Sequence, residues 1–169
     1  MARRRRRVAP QDGLTFAKQT LSCRVDLNMP QATPLTRLYR LSRDRRRVLL
    51  EAVYLLVAAS AAVALLPFRS AIGFGSKPLG RRTRVSPDDC VWAVEAAALR
   101  LPWRTMCIQK GLAVQRLLRR NGIGAVLHYG ARRDAEVGKL EAHVWVSVDG
   151  VTIIGGEEAP AFAEVAAFP

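Results

Sequence analysis

The polarity pattern of this chain changes period once. From Ser42 to Asn121 apolar positions recur at helical spacing, and from Ala125 onward they alternate. The first helical segment, "DRRRVLLEAVYLLVAASAAVALL", starts after Ser42, a residue suited to an N-cap, and is closed by Pro67. Between Ala52 and Leu66 it runs 15 residues with only Ser60 polar, and extending it back to Val48 gives 19 but takes in Glu51. A membrane span wants about 20 apolar residues, whereas shorter runs are commonly buried core helices. This run is read as a core or docking helix in preference to a membrane anchor. As an anchor, its flanking Arg43 and Arg45 to Arg47 would hold the N-terminal side inside. Residues 70–85 are rich in glycine and arginine and read as a linker.

A second helix opens at Ser86. Ser at the N-cap, Pro87 at the first helical position, and Asp88 and Asp89 facing the positive end of the dipole form a full start signal. This helix runs to Arg100, with Cys90, Val91, Val94 and Ala98 as its buried stripe, so Cys90 is a core residue. "LPW" at 101–103 turns the chain into a third helix, 105–122, with Thr105 as N-cap, Cys107 as second helical residue and Gly122 as the stop. Ile108, Leu112, Ala113, Val114 and Leu117 form its apolar side. Then come strands at 125–131, 142–148 and 151–156, the last two joined by the hairpin pair Asp149–Gly150. The tail "EEAPAFAEVAAFP" is short and mixed. Helices followed by an antiparallel β-meander define an α+β fold.

Composition adds little to this until it is divided. The 169 residues carry a net charge of +13, which suggests nucleic acid. However, residues 1–50 hold 13 Lys/Arg against 3 Asp/Glu, and the remainder holds 14 against 11. The excess sits in an appendage, 1–41, read as an irregular basic N-terminal extension to a domain at 42–169. "RRRRR" at 3–7 is a solvated basic run that can meet anionic partners. No nucleic-acid-binding motif accompanies it, and Met29 offers an alternative start. No apolar segment follows the arginines as a secretory signal requires. Three cysteines without a CxxC pair argue against a disulfide framework and a structural zinc site and suit a reducing cytoplasm.

One cysteine stands out by position. At a helix N-terminus Cys107 faces unpaired N–H groups and the positive end of the macrodipole, both of which favour the thiolate. Nucleophilic cysteine chemistry needs an imidazole to shuttle the proton and a group to orient that imidazole. The chain has two histidines, His128 within the first strand and His143 opening the second.

The ordered set of helix-start cysteine, "LLRRNGI" helix end, strand and "AHVWVSVDG" resembles the transglutaminase-like cysteine proteases of lasso-peptide biosynthesis, the B2-type leader peptidases. "LLEAVYLLVAASAAVALLPFR" is similar to the alanine- and leucine-rich helix that precedes their protease core. The resemblance covers about residues 42–169. It implies a transglutaminase-like, papain-like core with Cys107 as nucleophile, His143 as general base and acid, and His128 outside the catalytic set. The family's aspartate after the following strand is missing, since this chain has "IIGGEE" there. With Asp149–Gly150 as a two-residue turn, residue 148 pairs with 151 and His143 with Gly156. Asp149 is then about 20 Å from His143 along the strand. Glu157, nearer in sequence to Gly156, is the favoured third member. Glu158 has the correct strand parity, and a dyad without a carboxylate is a further alternative.

The resemblance implies leader removal from a lasso-peptide precursor through a thioester, with the Cys107 N–H as an oxyanion donor. No metal or cofactor is implied, and ATP belongs to a separate cyclase, itself a possible partner. It also implies a separate PqqD-like leader-recognition protein, for which 1–41 is too short. Trp103, Tyr129 and the 52–66 helix are candidate contacts for that protein or the leader. The expected setting is cytoplasmic, with peripheral membrane association not favoured. Two alternatives share the sequence: a transglutaminase or N-acyltransferase on the same Cys–His site, and a non-catalytic basic protein bound at a membrane surface.

Overall fold

The computed structural model describes residues 41–81, 83–133 and 138–169, which fall in one compact unit. The basic run at 3–7, Met29, Cys23 and nearly all of the extension at 1–41 lie outside the described residues.

Helix α1 spans Arg43–Leu65, and the Ser42 hydroxyl accepts the Arg45 N–H at 3.3 Å, as the start signal requires. Val48, Leu49, Ala52, Leu55, Leu56, Ala59 and Ala62 form its buried face. Among the described residues α1 is the helix long and apolar enough to cross a membrane, yet that face packs on the two helices that follow the linker. The opposite face leaves Leu50, Tyr54 and Leu65 exposed.

The stretch expected to be wholly linker contains a helix, α2 (Phe68–Gly75). Its glycines do not mark a loop, because one of them is a packing device. A Cβ on Gly75 would run into Gln115 Oε1 and lie 3.1 Å from Leu112. Helix α3 (Pro87–Ala98) starts as expected, with Ser86 Oγ accepting the Asp89 N–H at 3.1 Å. Its buried residues are Cys90, Ala93, Val94 and Ala97, so the stripe is one position off the expected one around Val91 and Ala98.

Helix α4 (Cys107–Arg120) is the centre of the domain. Its N-cap is Met106, not Thr105, because the Gln109 side chain reaches back to accept the Met106 N–H at 2.8 Å. Cys107 is therefore the first helical residue. At the far end Gly122 (φ +76°) gives the expected stop. Gly122 N–H donates to Arg119 O at 3.1 Å and Ile123 N–H to Leu118 O at 3.0 Å, closing a Schellman motif.

The sheet has strands β1 (Val126–Arg133), β2 (Leu140–Val148), β3 (Val151–Ile154) and β4 (Ala163–Phe168), in the spatial order β3-β2-β1-β4, with every neighbour antiparallel. The first three strands form the expected meander, and Asp149 (φ +49°) and Gly150 (φ +79°) make its turn. The fourth strand lies in the segment expected to be a short, mixed tail. "AEVAAF" carries little β-propensity of its own and is held by pairing along the free edge of β1. Buried Gln115 adds a tie by donating to Ala125 O at 3.3 Å and Phe168 O at 2.7 Å.

Helix α4 lies on the face of the β1–β2 pair formed by Leu127, Val144 and Val146. The closest approach is at Gly111, where a Cβ would sit 2.7 Å from Val144 Cγ1. Cys107, Gly111 and Gln115 are four residues apart and share that sheet-facing stripe. The nucleophile candidate is thus one turn beyond the contact that fixes the helix on the sheet.

Candidate active site

Strand β3 is short, and this opens the site. It begins in the expected register, Val148 opposite Val151 and Ser147 opposite Thr152, and then a bulge sets Val146 opposite Ile154. Pairing ends there, leaving β2 before Val146 without a strand partner on that side. His143 therefore has no strand partner at Gly156, as the regular register had implied. It stands opposite Gly130 of β1.

An open cavity of about 1180 Å³ occupies the space beside this unpaired stretch. Its wall includes Cys107, Lys110 and Gly111 from α4, Ala142 and His143 from β2, and the segment Gly155 to Glu158 beyond β3. Cys107 is partly exposed and its thiol is free. Its backbone N–H is one of the donors a helix start leaves unpaired, at the positive end of α4. Two ion pairs border the cavity, Lys110–Glu95 at 3.0 Å and Arg132–Glu141 at 2.7 Å. Among the described residues no group of three or more His, Cys, Asp or Glu is placed to hold a metal ion.

Cys90 shows what the other environment does to a thiol. It is fully buried in the helical layer, and burial, followed by the Asp89 and Glu51 carboxylates, pushes its pKa up to about 12. It is a core residue, as expected.

His143 is 7 % exposed and is held on every side. Its ring stacks against Phe162, with centroids 5.2 Å apart, and against Trp145 at 6.2 Å. Nε2 is 2.8 Å from the carbonyl oxygen of Gly155, and Nδ1 is 3.4 Å from Glu158 Oε2. The carboxylate beside the imidazole is thus Glu158, where sequence reasoning favoured Glu157. Glu157 lines the same cavity without an ion pair to His143. The chain leaves the strand at Gly155 (φ +76°), so strand register does not extend to residues 157 and 158. Asp149 is exposed in the turn, at the opposite end of β2.

His128 lies on the same sheet face but outside the cavity wall. It stacks on Trp145 at 5.5 Å, bonds Ser147 Oγ through Nε2 at 2.8 Å, and has Glu164 at 3.2 Å from Nδ1. Sequence reasoning missed four residues that shape the site: Gly155, Phe162, Trp145 and Gly130. Gly130 lets Trp145 and Phe162 close over the strand, because a Cβ there would be 2.7 Å from one ring and 2.9 Å from Phe162 Cβ. The Gly155–Gly156 pair was the only signal in the sequence.

Residues 52–167 match the transglutaminase-like superfamily model, more than half of the chain, and the protein belongs to that family. Its members are typically cysteine-dependent enzymes, and its α+β architecture is the one described here. No curated protein and no solved structure matches the chain.

Proposed function

We propose that this protein is a cysteine peptidase that removes the leader from a lasso-peptide precursor, with Cys107 as nucleophile and His143 as general base and acid. The observation that carries the reading is that a helix-start cysteine and a held imidazole, from α4 and β2, border one open cavity. In this reaction the thiolate attacks the scissile carbonyl and the Cys107 N–H donates to the oxyanion. The His143 imidazolium then protonates the leaving amine. Water, deprotonated by the neutral imidazole, hydrolyses the thioester and releases the second product. The cavity is open and borders the unpaired stretch of β2, an edge along which an extended peptide can lie.

The partners belong to the same proposal: a separate PqqD-like protein that presents the leader, and the ATP-dependent cyclase that receives the freed core peptide. A reducing cytoplasm is the setting in which the free thiol of Cys107 works. Mass spectrometry of a candidate precursor incubated with the protein and the leader-binding partner tests this. A single cut at the leader boundary is expected, lost by about 1000-fold or more in Cys107→Ala and His143→Ala. An intact precursor, with Cys107 acylated and transferred to an added amine, would replace the peptidase by an acyltransferase. An intact precursor with no acylation would refute both.

A further inference from the structure

The cavity carries an excess of carboxylates, although the chain as a whole has a net charge of +13. We infer that it selects cationic peptide segments, with Glu157 and Glu158 as the residues that meet a lysine or arginine of the substrate. This deepens the proposed reaction and rests on it for the peptide nature of the substrate.

The charged residues on the cavity wall are Glu95, Glu141, Glu157 and Glu158 against Lys110 and Arg132. Both cations are already engaged. Lys110 Nζ donates to the two carboxylate oxygens of Glu95, at 3.3 and 3.0 Å. Arg132 Nε donates to Glu141 Oε2 at 2.7 Å, and its guanidinium lies 4.6 Å over the Phe162 ring. Each pair cancels its own charge, so neither cation is left to receive a carboxylate of the substrate. What remains is the adjacent pair Glu157 and Glu158, both exposed. Glu157 makes no ion pair with any described residue, and Glu158 has the imidazole of His143 beside it at 3.4 Å, with its side chain 72 % exposed.

The rest of the molecule pulls the other way. The basic excess of the chain and the positive end of the α4 dipole at Cys107 both favour an anion. Arg104, three residues ahead of Cys107, is exposed and does not line the cavity. Coulomb attraction falls with distance, and salt screens exposed charges beyond about 10 Å at 0.1 M, so charges on the wall outweigh those elsewhere on the surface. The unpaired stretch of β2 can hold an extended peptide through main-chain hydrogen bonds, which are blind to side chains. The two free carboxylates supply the selection that the edge cannot.

The test reads the charge of the cavity at Cys107 and needs no substrate. In full-length Cys23→Ser protein Cys107 is the accessible thiol, because Cys90 is buried. It is treated with a cationic methanethiosulfonate (ethyltrimethylammonium) and an anionic one (ethylsulfonate), and each rate is divided by that of a small free thiol. The cationic reagent is expected to be favoured by about tenfold at low salt, since each carboxylate attracts one reagent and repels the other. The preference is expected to shrink in 1 M salt, where the screening length is about 3 Å. In the double variant Glu157→Gln, Glu158→Gln it is expected to fall to unity or reverse. An anionic preference in the parent, or a cationic preference that survives in the double variant, overturns the inference. In the second arm, precursors carrying lysine or glutamate at successive positions flanking the cut are compared by kcat/KM. Lysine is expected to be favoured by about tenfold at one position or more, and to lose that advantage in the double variant. Equal rates at every position overturn the inference. A cationic preference at Cys107 in a protein that cuts no precursor would sink the peptidase reading while leaving the charge selectivity of the cavity standing.

Discussion

Gly111 is where α4 rests on the sheet, and replacing it by alanine sets two known effects against each other. In an unpacked helix Gly→Ala stabilises by about 1 kcal/mol. Here the new methyl would lie 2.7 Å from Val144 Cγ1 and 3.4 Å from Leu127 Cδ1. The first contact is about 1 Å inside the favourable carbon–carbon separation. Val144 is 4 % exposed, β-branched and locked in the sheet, so it cannot swing aside. Overpacking of this kind costs about 1–3 kcal/mol, and the expected net result is a destabilisation of about 1 kcal/mol. Urea unfolding followed by circular dichroism measures it, and the melting temperature should fall by about 2–4 °C. Val144→Ala alone should cost about 2 kcal/mol, from the two buried carbons it removes. The double variant should cost about 1 kcal/mol less than the sum, because each truncation makes room for the other. A Gly111→Ala protein more stable than the parent, or a strictly additive pair, would show that the helix does not rest on the sheet at this residue.

Four further predictions address the core and the thiols. Native protein treated with iodoacetamide at pH 8 should be labelled at Cys107 and spared at Cys90, both reacting once urea is added; peptide mapping reads the result. Because Cys90 is neutral in the fold and its thiol ordinarily ionises near 9, its contribution to stability is complete below that pH and is lost as the pH rises from 9 to about 12. Relative to the parent, Cys90→Ala should therefore lose less stability across that window. Gln115→Leu removes the donor to Ala125 O and Phe168 O and should cost about 1–3 kcal/mol, with hydrogen exchange accelerated in residues 163–168 ahead of the rest of the sheet. Leu56→Ala, at a fully buried position of α1, should cost about 2–5 kcal/mol in urea, whereas Leu50→Ala on the exposed face should cost under about 0.5 kcal/mol.

What could be read from the sequence depended on whether the governing interaction was local. The starts of α1 and α3 are legible because Ser42 and Ser86 cap within three residues of themselves. The hairpin is legible because Asp149 and Gly150 tolerate positive φ. Cys107 stands out by its place at a helix start, His143 only by the resemblance of its "AHVWVSVDG" segment, and both border one cavity. Helix α2 and strand β4 were missed because partners distant in sequence create them: Gln115 and Leu112 for Gly75, the edge of β1 for an alanine-rich tail. The start of α4 moved by one residue because a glutamine side chain competed with a threonine cap. The arrangement around the imidazole was the least legible part, since it turns on a bulge between Val146 and Ser147 and on a main-chain oxygen. A carbonyl contributed by backbone leaves no residue type to search for, and two adjacent carboxylates drew the eye instead.

The indole of Trp145 lies between the two imidazoles of the chain, 5.5 Å from one and 6.2 Å from the other. An excited indole gives up an electron far more readily to an imidazolium than to a neutral ring. The protein thus carries a candidate optical gauge of proton movement: Trp145 emission is expected to dim when either neighbour gains a proton and to recover when it is released. With Trp92 and Trp103 replaced by phenylalanine and His128 by glutamine, the remaining signal would follow His143 alone, without an added dye.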